Sequence, residues 1–199
     1  MDYQVSVVGG GISGALAALY LGKSRVKTCL IDRGKPSQRL SNPYIGKTTS
    51  LNLSSIASLR DVGIWEDIKK NAQEFNEIYV WDAEGSSSVQ FKAEEISRND
   101  LGVIVHNNII LESIYSKLEQ ISEVTLIEEE SLKEISQDQN KIELTSDSGL
   151  RIASELLIGA DGSLSKVRDF SRIPIRLSLI HISEPTRRTP ISYAVFCLK

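Results

Sequence analysis

Cysteine and histidine are scarce in this chain of 199 residues, and their scarcity excludes several kinds of site. The two cysteines, Cys29 and Cys197, form neither a disulfide framework nor a metal-ligand spacing. Cys29 lies in an apolar run that predicts a small buried core residue. Of the two histidines, His181 lies in a C-terminal segment that is predicted to be non-native, so His106 is the one histidine that could belong to a site. We therefore predict no histidine metal site, no Ser-His-Asp triad and no catalytic side chain.

Long hydrophobic runs and an excess of basic residues are also lacking. The apolar stretches are far shorter than a bilayer span, and the N-terminus begins directly with a strand instead of a basic and apolar leader. We therefore expect a cytoplasmic protein. With 23 basic against 26 acidic residues, the sequence offers no basic face for nucleic acid. Its 41% hydrophobic and 25% charged residues are typical of an enzyme domain with a buried core.

A glycine-rich turn follows the first predicted strand, with Gly9, Gly11 and Gly14 in the spacing G-x-G-x-x-G. Gly9 allows a tight turn, Gly11 leaves no side chain between the backbone and a pyrophosphate, and Gly14 lets the next helix approach the sheet. The N-terminus of that helix favours an anion. The predicted site includes Ile12 and Ser13, which lie between these glycines.

A second predicted strand, residues 28–31, ends in Asp32, 18 residues after Gly14. A βαβ unit places at this point the carboxylate that accepts hydrogen bonds from the adenosine ribose. The same carboxylate disfavours a 2′-phosphate, which favours FAD or NAD over NADP as the tightly bound ligand. Arg33 follows directly and is included in the predicted site.

A second glycine motif, from Gly159 through Asp161 and Gly162, follows the apolar run at residues 156–158. Two such motifs, each at the end of a buried strand, indicate one dinucleotide that is held from two sides. Between them the sequence predicts an α/β domain with inserted strands. The elements predicted there are a helix ending before Gly63, a hairpin of residues 77–82 and 89–91, a strand at 101–106, a helix at 109–121, and strands at 124–127, 132–135 and 141–145.

On these motifs the chain resembles the N-terminal half of the flavoprotein aromatic hydroxylases, and among them it is most similar to the ubiquinone-biosynthesis hydroxylases. The resemblance covers residues 4–170 and includes the segments 50–55, 63–65, 93–96 and 101–105. It implies an α/β, Rossmann-like FAD/NAD(P)-binding domain that is truncated before its C-terminal part. The residues that it assigns to FAD are Gly9, Gly11, Gly14, Asp32, Asp161 and Gly162, with Arg168 beside the last two.

The resemblance also implies that Lys47 and Asn107 lie near the cofactor. Lys47 stands where the family usually has an arginine, and the position of His106 is commonly acidic in relatives. The implied reaction is reduction of FAD by NAD(P)H, followed by oxygen transfer from O2 to an aromatic ring. A polyprenylated phenol of ubiquinone biosynthesis is the expected substrate, which would imply peripheral association with a membrane or a biosynthetic complex. The alternatives are another FAD-dependent aromatic hydroxylase and a non-catalytic dinucleotide-binding protein.

The C-terminal segment resembles translated sequencing adapter. Residues 177–187 and 191–198 match one reading frame of a transposase-type adapter and a flow-cell primer, with three index-derived codons between them. We therefore predict an incomplete FAD-binding domain over residues 1–176, with the start of a substrate-domain insertion, and a non-native, functionless tail over 177–199. The alternative is a genuine pair of amphipathic strands. The family's third flavin motif, a Gly-Asp-Ala-Ala-His-like segment, has no counterpart in this sequence.

Overall fold

The computed structural model describes residues 2–35, 46–81, 86, 88–175 and 196–198. The chain divides into two compact units. The first unit consists of Met1–Gln38 and Lys117–Lys199, and the second unit is Arg39–Ser116. In sequence, the second unit is therefore an insertion in the first.

The described residues form both helices and strands. The helices are α1 (Ile12–Lys23), α2 (Leu53–Asp61), α3 (Trp65–Lys69), α4 (Asn107–Leu118) and α5 (Lys166–Phe170), and a 3₁₀ turn spans Ala93–Ile96. The strands are β1 (Asp2–Val8), β2 (Thr28–Ile31), β3 (Thr48–Leu51), β4 (Gln73–Phe75), β5 (Glu77–Trp81), β6 (Ser88–Lys92), β7 (Gly102–His106), β8 (Val124–Ile127), β9 (Leu132–Gln137), β10 (Ile142–Ser146), β11 (Arg151–Gly159) and β12 (Phe196–Leu198). In the described ranges, no helix has both the length and the apolar character that crossing a bilayer requires.

The first unit is built on one mixed sheet with the strand order β8-β2-β1-β11-β10-β9. Strands β8, β2, β1 and β11 run parallel, whereas β10 and β9 add to the sheet as antiparallel strands. All four residues of β2 are buried, as expected for a parallel strand that is covered on both faces. Strand β12 pairs antiparallel with the end of β11.

Helix α1 connects β1 to β2 and lies close to the sheet because its buried face is made of small residues. Gly14, Ala15, Ala18 and Gly22 are among the buried positions. A Cβ atom at Gly22 would lie 2.5 Å from Cγ2 of Val124, so this approach requires glycine. The predicted βαβ unit is confirmed, and β2 has the predicted bounds.

The second unit contains a three-stranded sheet in the order β3-β7-β4 and a separate hairpin of β5 and β6. Helix α2 begins after Asn52, whose Oδ1 accepts a hydrogen bond from the Ser55 N–H at 2.9 Å. It ends before Gly63, whose φ of 79° is the left-handed conformation of a helix stop. Trp65 follows and is buried. The predicted helix end is confirmed.

The predicted hairpin is confirmed, with β5 and β6 paired antiparallel and Val80 opposite Val89. Strand β11 is longer than the predicted run at 156–158, because its first half alternates between buried and exposed residues beside β10. Helix α4 begins at Asn107 and ends at Leu118, which shifts the predicted helix toward the N-terminus. The short strands β3 and β4 were not predicted, because their sequences are largely polar and mostly exposed.

Two sequence predictions fall on residues that are largely outside the described ranges. The first is the turn that joins the two strands of the predicted hairpin, between residues 82 and 89. The predicted adapter-derived tail is also outside, apart from the three residues of β12. The non-native origin of residues 177–199 and the domain division at residue 176 stay predictions.

Cys29 is fully buried in β2, as predicted for a small core residue. Its Sγ donates a hydrogen bond to the Ser6 Oγ at 3.2 Å. Burial raises the pKa of the Cys29 thiol to about 11, so the thiol stays protonated and unreactive near neutral pH.

Candidate dinucleotide site

The first glycine turn has a backbone that only glycine permits at two positions. Gly9 has a φ of 108°, and a Cβ atom there would lie 2.3 Å from the carbonyl oxygen of Ala160. A Cβ atom at Gly14 would lie 1.9 Å from the carbonyl oxygen of Gly9. The predicted structural reasons for these two glycines, a tight turn and a close helix, are therefore confirmed.

Gly11 differs from its neighbours because a Cβ atom there would meet no atom of the described residues within 4 Å. It is the N-cap residue of α1, where no side chain accepts a hydrogen bond from the first helical turn. The first turn also contains no acidic residue. The N–H groups of Ile12, Ser13 and Gly14 at the start of α1 therefore have no side-chain cap. They lie beside open space, and this arrangement suits an anionic phosphate.

Asp32 is a buried carboxylate that ties the end of β2 to the glycine turn. Its Oδ2 accepts a hydrogen bond from the Gly10 N–H at 2.5 Å, and its Oδ1 accepts one from the Gly34 N–H at 2.7 Å. The carboxylate thus lies at the end of β2, where a βαβ unit places the acceptor for a ribose hydroxyl. Arg33 follows with its side chain exposed.

The second glycine motif lies beside the first. Strand β11 pairs with β1 in a register that sets Gly159 opposite Val8. The Ala160 N–H donates to the Val8 carbonyl at 2.7 Å, and the Gly9 N–H donates to the Ile31 carbonyl at 2.8 Å. The structure therefore brings both predicted motifs together at the carboxyl ends of β1, β2 and β11, where α/β folds bind ligands.

Asp161 bonds to its own loop through both oxygens. Its Oδ1 accepts from the Ser165 Oγ at 2.5 Å, and its Oδ2 accepts from the N–H groups of Lys166 at 2.7 Å and Val167 at 3.2 Å. These bonds cap α5 and fix the loop that contains Gly162, whose φ is 88°. Within the described part of the chain, a Cβ atom at Gly162 would meet nothing within 4 Å. The part of this loop that is open to a ligand is thus its backbone.

The side chain of Arg168 also stabilises this loop. Its guanidinium is mostly buried, donates to the Ser163 carbonyl at 2.9 Å and forms an ion pair with Asp169 at 3.0 Å. Ser165 caps α5 by accepting the Arg168 N–H at 3.0 Å. Ser165 was not among the predicted site residues, although a serine directly before a helix is a recognised N-cap signal.

Lys47 and Asn107 lie together in the second unit, whereas the other nine predicted site residues lie in the first. The Asn107 N–H donates to the Lys47 carbonyl at 2.9 Å, and the Lys47 side chain is exposed. The Thr49 Oγ1 donates to the Asn107 Oδ1 at 2.5 Å. Thr49 was not predicted, because no local pattern links residues that are 58 positions apart.

The family model of the FAD binding domain matches residues 2–178. This chain belongs to the FAD-binding domain family, and the predicted cofactor class and α/β fold are confirmed.

Curated relatives include the ubiquinone biosynthesis monooxygenase COQ6 of Dictyostelium discoideum, 29% identical over 86% of this chain and 39% of that protein. The ubiquinone hydroxylase UbiL of Rhodospirillum rubrum is 27% identical over 87% of this chain and 40% of its own length. The 3-demethoxyubiquinol 3-hydroxylase of Escherichia coli is 27% identical over 86% of this chain and 44% of its own length. The chain thus spans about two fifths of the length of these relatives.

Solved structures with the same fold include the flavin-dependent monooxygenase PieE in complex with FAD and substrate. Its TM-score is 0.70 at 18% identity, over 86% of this chain and 32% of that one. PqsL of Pseudomonas aeruginosa in complex with 2-aminobenzoylacetate has a TM-score of 0.73 at 18% identity, over 88% of this chain and 47% of that one. At these identities the likeness shows the fold alone.

Proposed function

We propose that this chain binds FAD as part of a monooxygenase that hydroxylates an aromatic ring, with NAD(P)H and O2 as co-substrates. The observation that carries the proposal is the shared edge of β1, β2 and β11. An uncapped helix end, the bare backbone of Gly11 and the carboxylate of Asp32 lie together there. These groups match the pyrophosphate and ribose of a dinucleotide.

The first unit holds the ADP half of FAD. Asp32 accepts from the ribose, with Arg33 beside it. Asp161 and Arg168 hold the loop of Gly162, so that its backbone faces the pyrophosphate. The residues assigned to the pyrophosphate are Gly9, Gly11, Ile12, Ser13, Gly14, Asp161 and Gly162.

Asn107 contacts the flavin portion of FAD, and Lys47 belongs to the same cofactor-binding set. Their pairing through the Asn107 N–H supports treating them as one cluster. A lysine supplies a compact positive charge instead of the planar fork of an arginine. FAD, when bound, supplies the activation of oxygen, whereas this chain binds and orients the cofactor.

The substrate is a polyprenylated phenol of ubiquinone biosynthesis, and the protein associates with a membrane surface or a biosynthetic complex. The support for this finer proposal is the naming of the curated relatives as ubiquinone hydroxylases. The second candidate is another FAD-dependent aromatic hydroxylation, because the family model that matches residues 2–178 describes FAD binding and no particular substrate.

Titration of the purified chain with FAD, followed by the quenching of flavin fluorescence, tests the proposal. Gly11→Val places a side chain in the open space beside the helix end, so we expect FAD binding to weaken at least about tenfold. Circular dichroism checks that the variant stays folded, since no described atom lies near the added Cβ. Equal binding by the wild-type chain and a folded Gly11→Val variant, or no binding by either, would contradict the proposal.

A further inference from the structure

Thr49 and Asn107 form a side-chain pair that joins the start of β3 to the start of α4. Thr49 lies opposite Val105 of β7, which is buried, so its side chain is on the inner face of the three-stranded sheet. Its Oγ1 donates to the Asn107 Oδ1 at 2.5 Å. The Asn107 N–H donates to the Lys47 carbonyl at 2.9 Å, so both the backbone and the side chain of Asn107 are held by β3 and its flank.

This pair fixes the direction of the Asn107 side-chain amide. An asparagine at a helix start commonly uses its oxygen to accept an N–H of the first turn. Here Thr49 bonds to that oxygen instead. Because the amide is planar, holding Oδ1 also sets where the two donors of Nδ2 point. Within the described part of the chain, Nδ2 makes no hydrogen bond, although Asn107 is only partly exposed.

We infer that Thr49 is a positioning residue, which turns the Asn107 amide so that Nδ2 donates to an oxygen acceptor of the flavin or its ribityl chain. The inference rests on the proposed function, in which Asn107 contacts the flavin. Thr49 acts through Asn107 and does not contact the ligand. A β-branched side chain suits this role because its χ1 angle is stiff, so the hydroxyl is already directed before the cofactor binds.

Thr49→Val and Thr49→Ser separate the hydroxyl from the shape of the residue. Valine keeps the branched shape and favours a strand, but it cannot donate to Asn107. Losing one neutral hydrogen bond corresponds to a loss of about fivefold to tenfold in affinity, which we expect for FAD binding to Thr49→Val. Thr49→Ser keeps the donor and should bind within about twofold of the wild-type chain. The visible circular dichroism of bound flavin should change in Thr49→Val and be restored in Thr49→Ser.

Asn107→Asp tests the direction of the amide. The aspartate still accepts from Thr49 but has no donor, so FAD binding should weaken at least as much as in Asn107→Ala. The double variant Thr49→Val with Asn107→Ala should bind no more weakly than Asn107→Ala alone, because Thr49 has no effect without its partner. Wild-type affinity in Asn107→Asp, or additive losses in the double variant, would overturn the inference.

The failure of this inference can be told apart from the failure of the proposed function. If Gly11→Val loses FAD while folded Thr49→Val binds it normally, the positioning role is wrong and the FAD site stands. If the wild-type chain binds no FAD, the proposed function fails and the role of Thr49 is overturned with it. Thermal unfolding of every variant shows which of them are folded.

Discussion

Strand β1 of the first unit and the β5–β6 hairpin of the second unit are both built from residues that favour strands, but they lie in opposite environments. Val7 of β1 is 0% exposed, whereas Val80 of β5 is 53% exposed and Trp81 is 65% exposed. Every residue of β5 and β6 is exposed. Similar local sequence therefore gives the same backbone conformation with a very different energetic contribution.

The difference comes from what covers each strand. Strand β1 lies between two parallel neighbours, and α1 packs on its sheet through a face of small residues. In the described ranges, neither face of the hairpin is covered. One face carries Ile78, Val80, Val89 and Phe91, and the other stacks Tyr79 on Trp81 at 5.7 Å. A two-stranded hairpin with neither face covered is marginally stable at best, so β5 and β6 contribute little burial energy to the fold.

The largest effect is expected where the first unit is most tightly packed. Gly14→Val would place a Cβ atom 1.9 Å from the Gly9 carbonyl oxygen and 3.0 Å from the Ala160 Cβ. Because both neighbours are held in the sheet edge, we expect a loss of about 3 kcal/mol in the free energy of unfolding, measured by urea denaturation. Gly11→Ala is the control and should cost less than about 1 kcal/mol, since its Cβ meets open space. Equal losses would show that the helix does not approach the sheet as described.

A matched pair of substitutions tests the comparison of the two regions directly. Val7→Thr inserts a hydroxyl into a fully buried strand and should cost about 2 kcal/mol of unfolding free energy. Val80→Thr makes the same change on the exposed hairpin and should cost less than about 0.5 kcal/mol. Thermal and urea unfolding of both variants give the two values. If Val80→Thr is as costly as Val7→Thr, the hairpin is covered in solution and the comparison is wrong.

The sequence predicts those elements whose pattern is complete within a few residues. Strand β2 is buried throughout and consists of one threonine followed by the apolar residues 29–31, so its bounds were predictable to the residue. Gly63 ends α2 as predicted, because the positive φ of a helix stop is a local requirement that glycine meets. Strands β3 and β4 were missed because they owe their conformation to pairing with β7, which is distant in sequence. The exposure of the hairpin could not be predicted either, because burial depends on neighbouring elements and not on the strand pattern.

The same distinction applies to the candidate site. The glycine positions were predictable because a close backbone approach and a positive φ leave few alternatives to glycine. The bonds of Asp161 to α5 were not predicted, since the sequence does not show whether a carboxylate faces a ligand or its own loop. The Thr49–Asn107 pair depends on the pairing of β3 with β7 and has no local signal.

The last prediction compares the reactivity of two thiols, one in each region, and requires the smallest change to the structure. Burial raises the pKa of Cys29 to about 11 from 9.0, so its thiolate fraction near neutral pH is about a hundredfold below that of an ordinary thiol. In a Val80→Cys variant, the introduced thiol lies on the exposed hairpin and should have the usual pKa of about 8.5. Alkylation at about pH 8, followed by mass spectrometry of the separate peptides, should therefore modify residue 80 at least about a hundredfold faster than Cys29. Unfolding in urea should make the two rates similar, because both thiols are then in water. If Cys29 reacts as fast as the introduced thiol in the folded chain, the parallel sheet of the first unit opens readily, and it is no better covered than the hairpin.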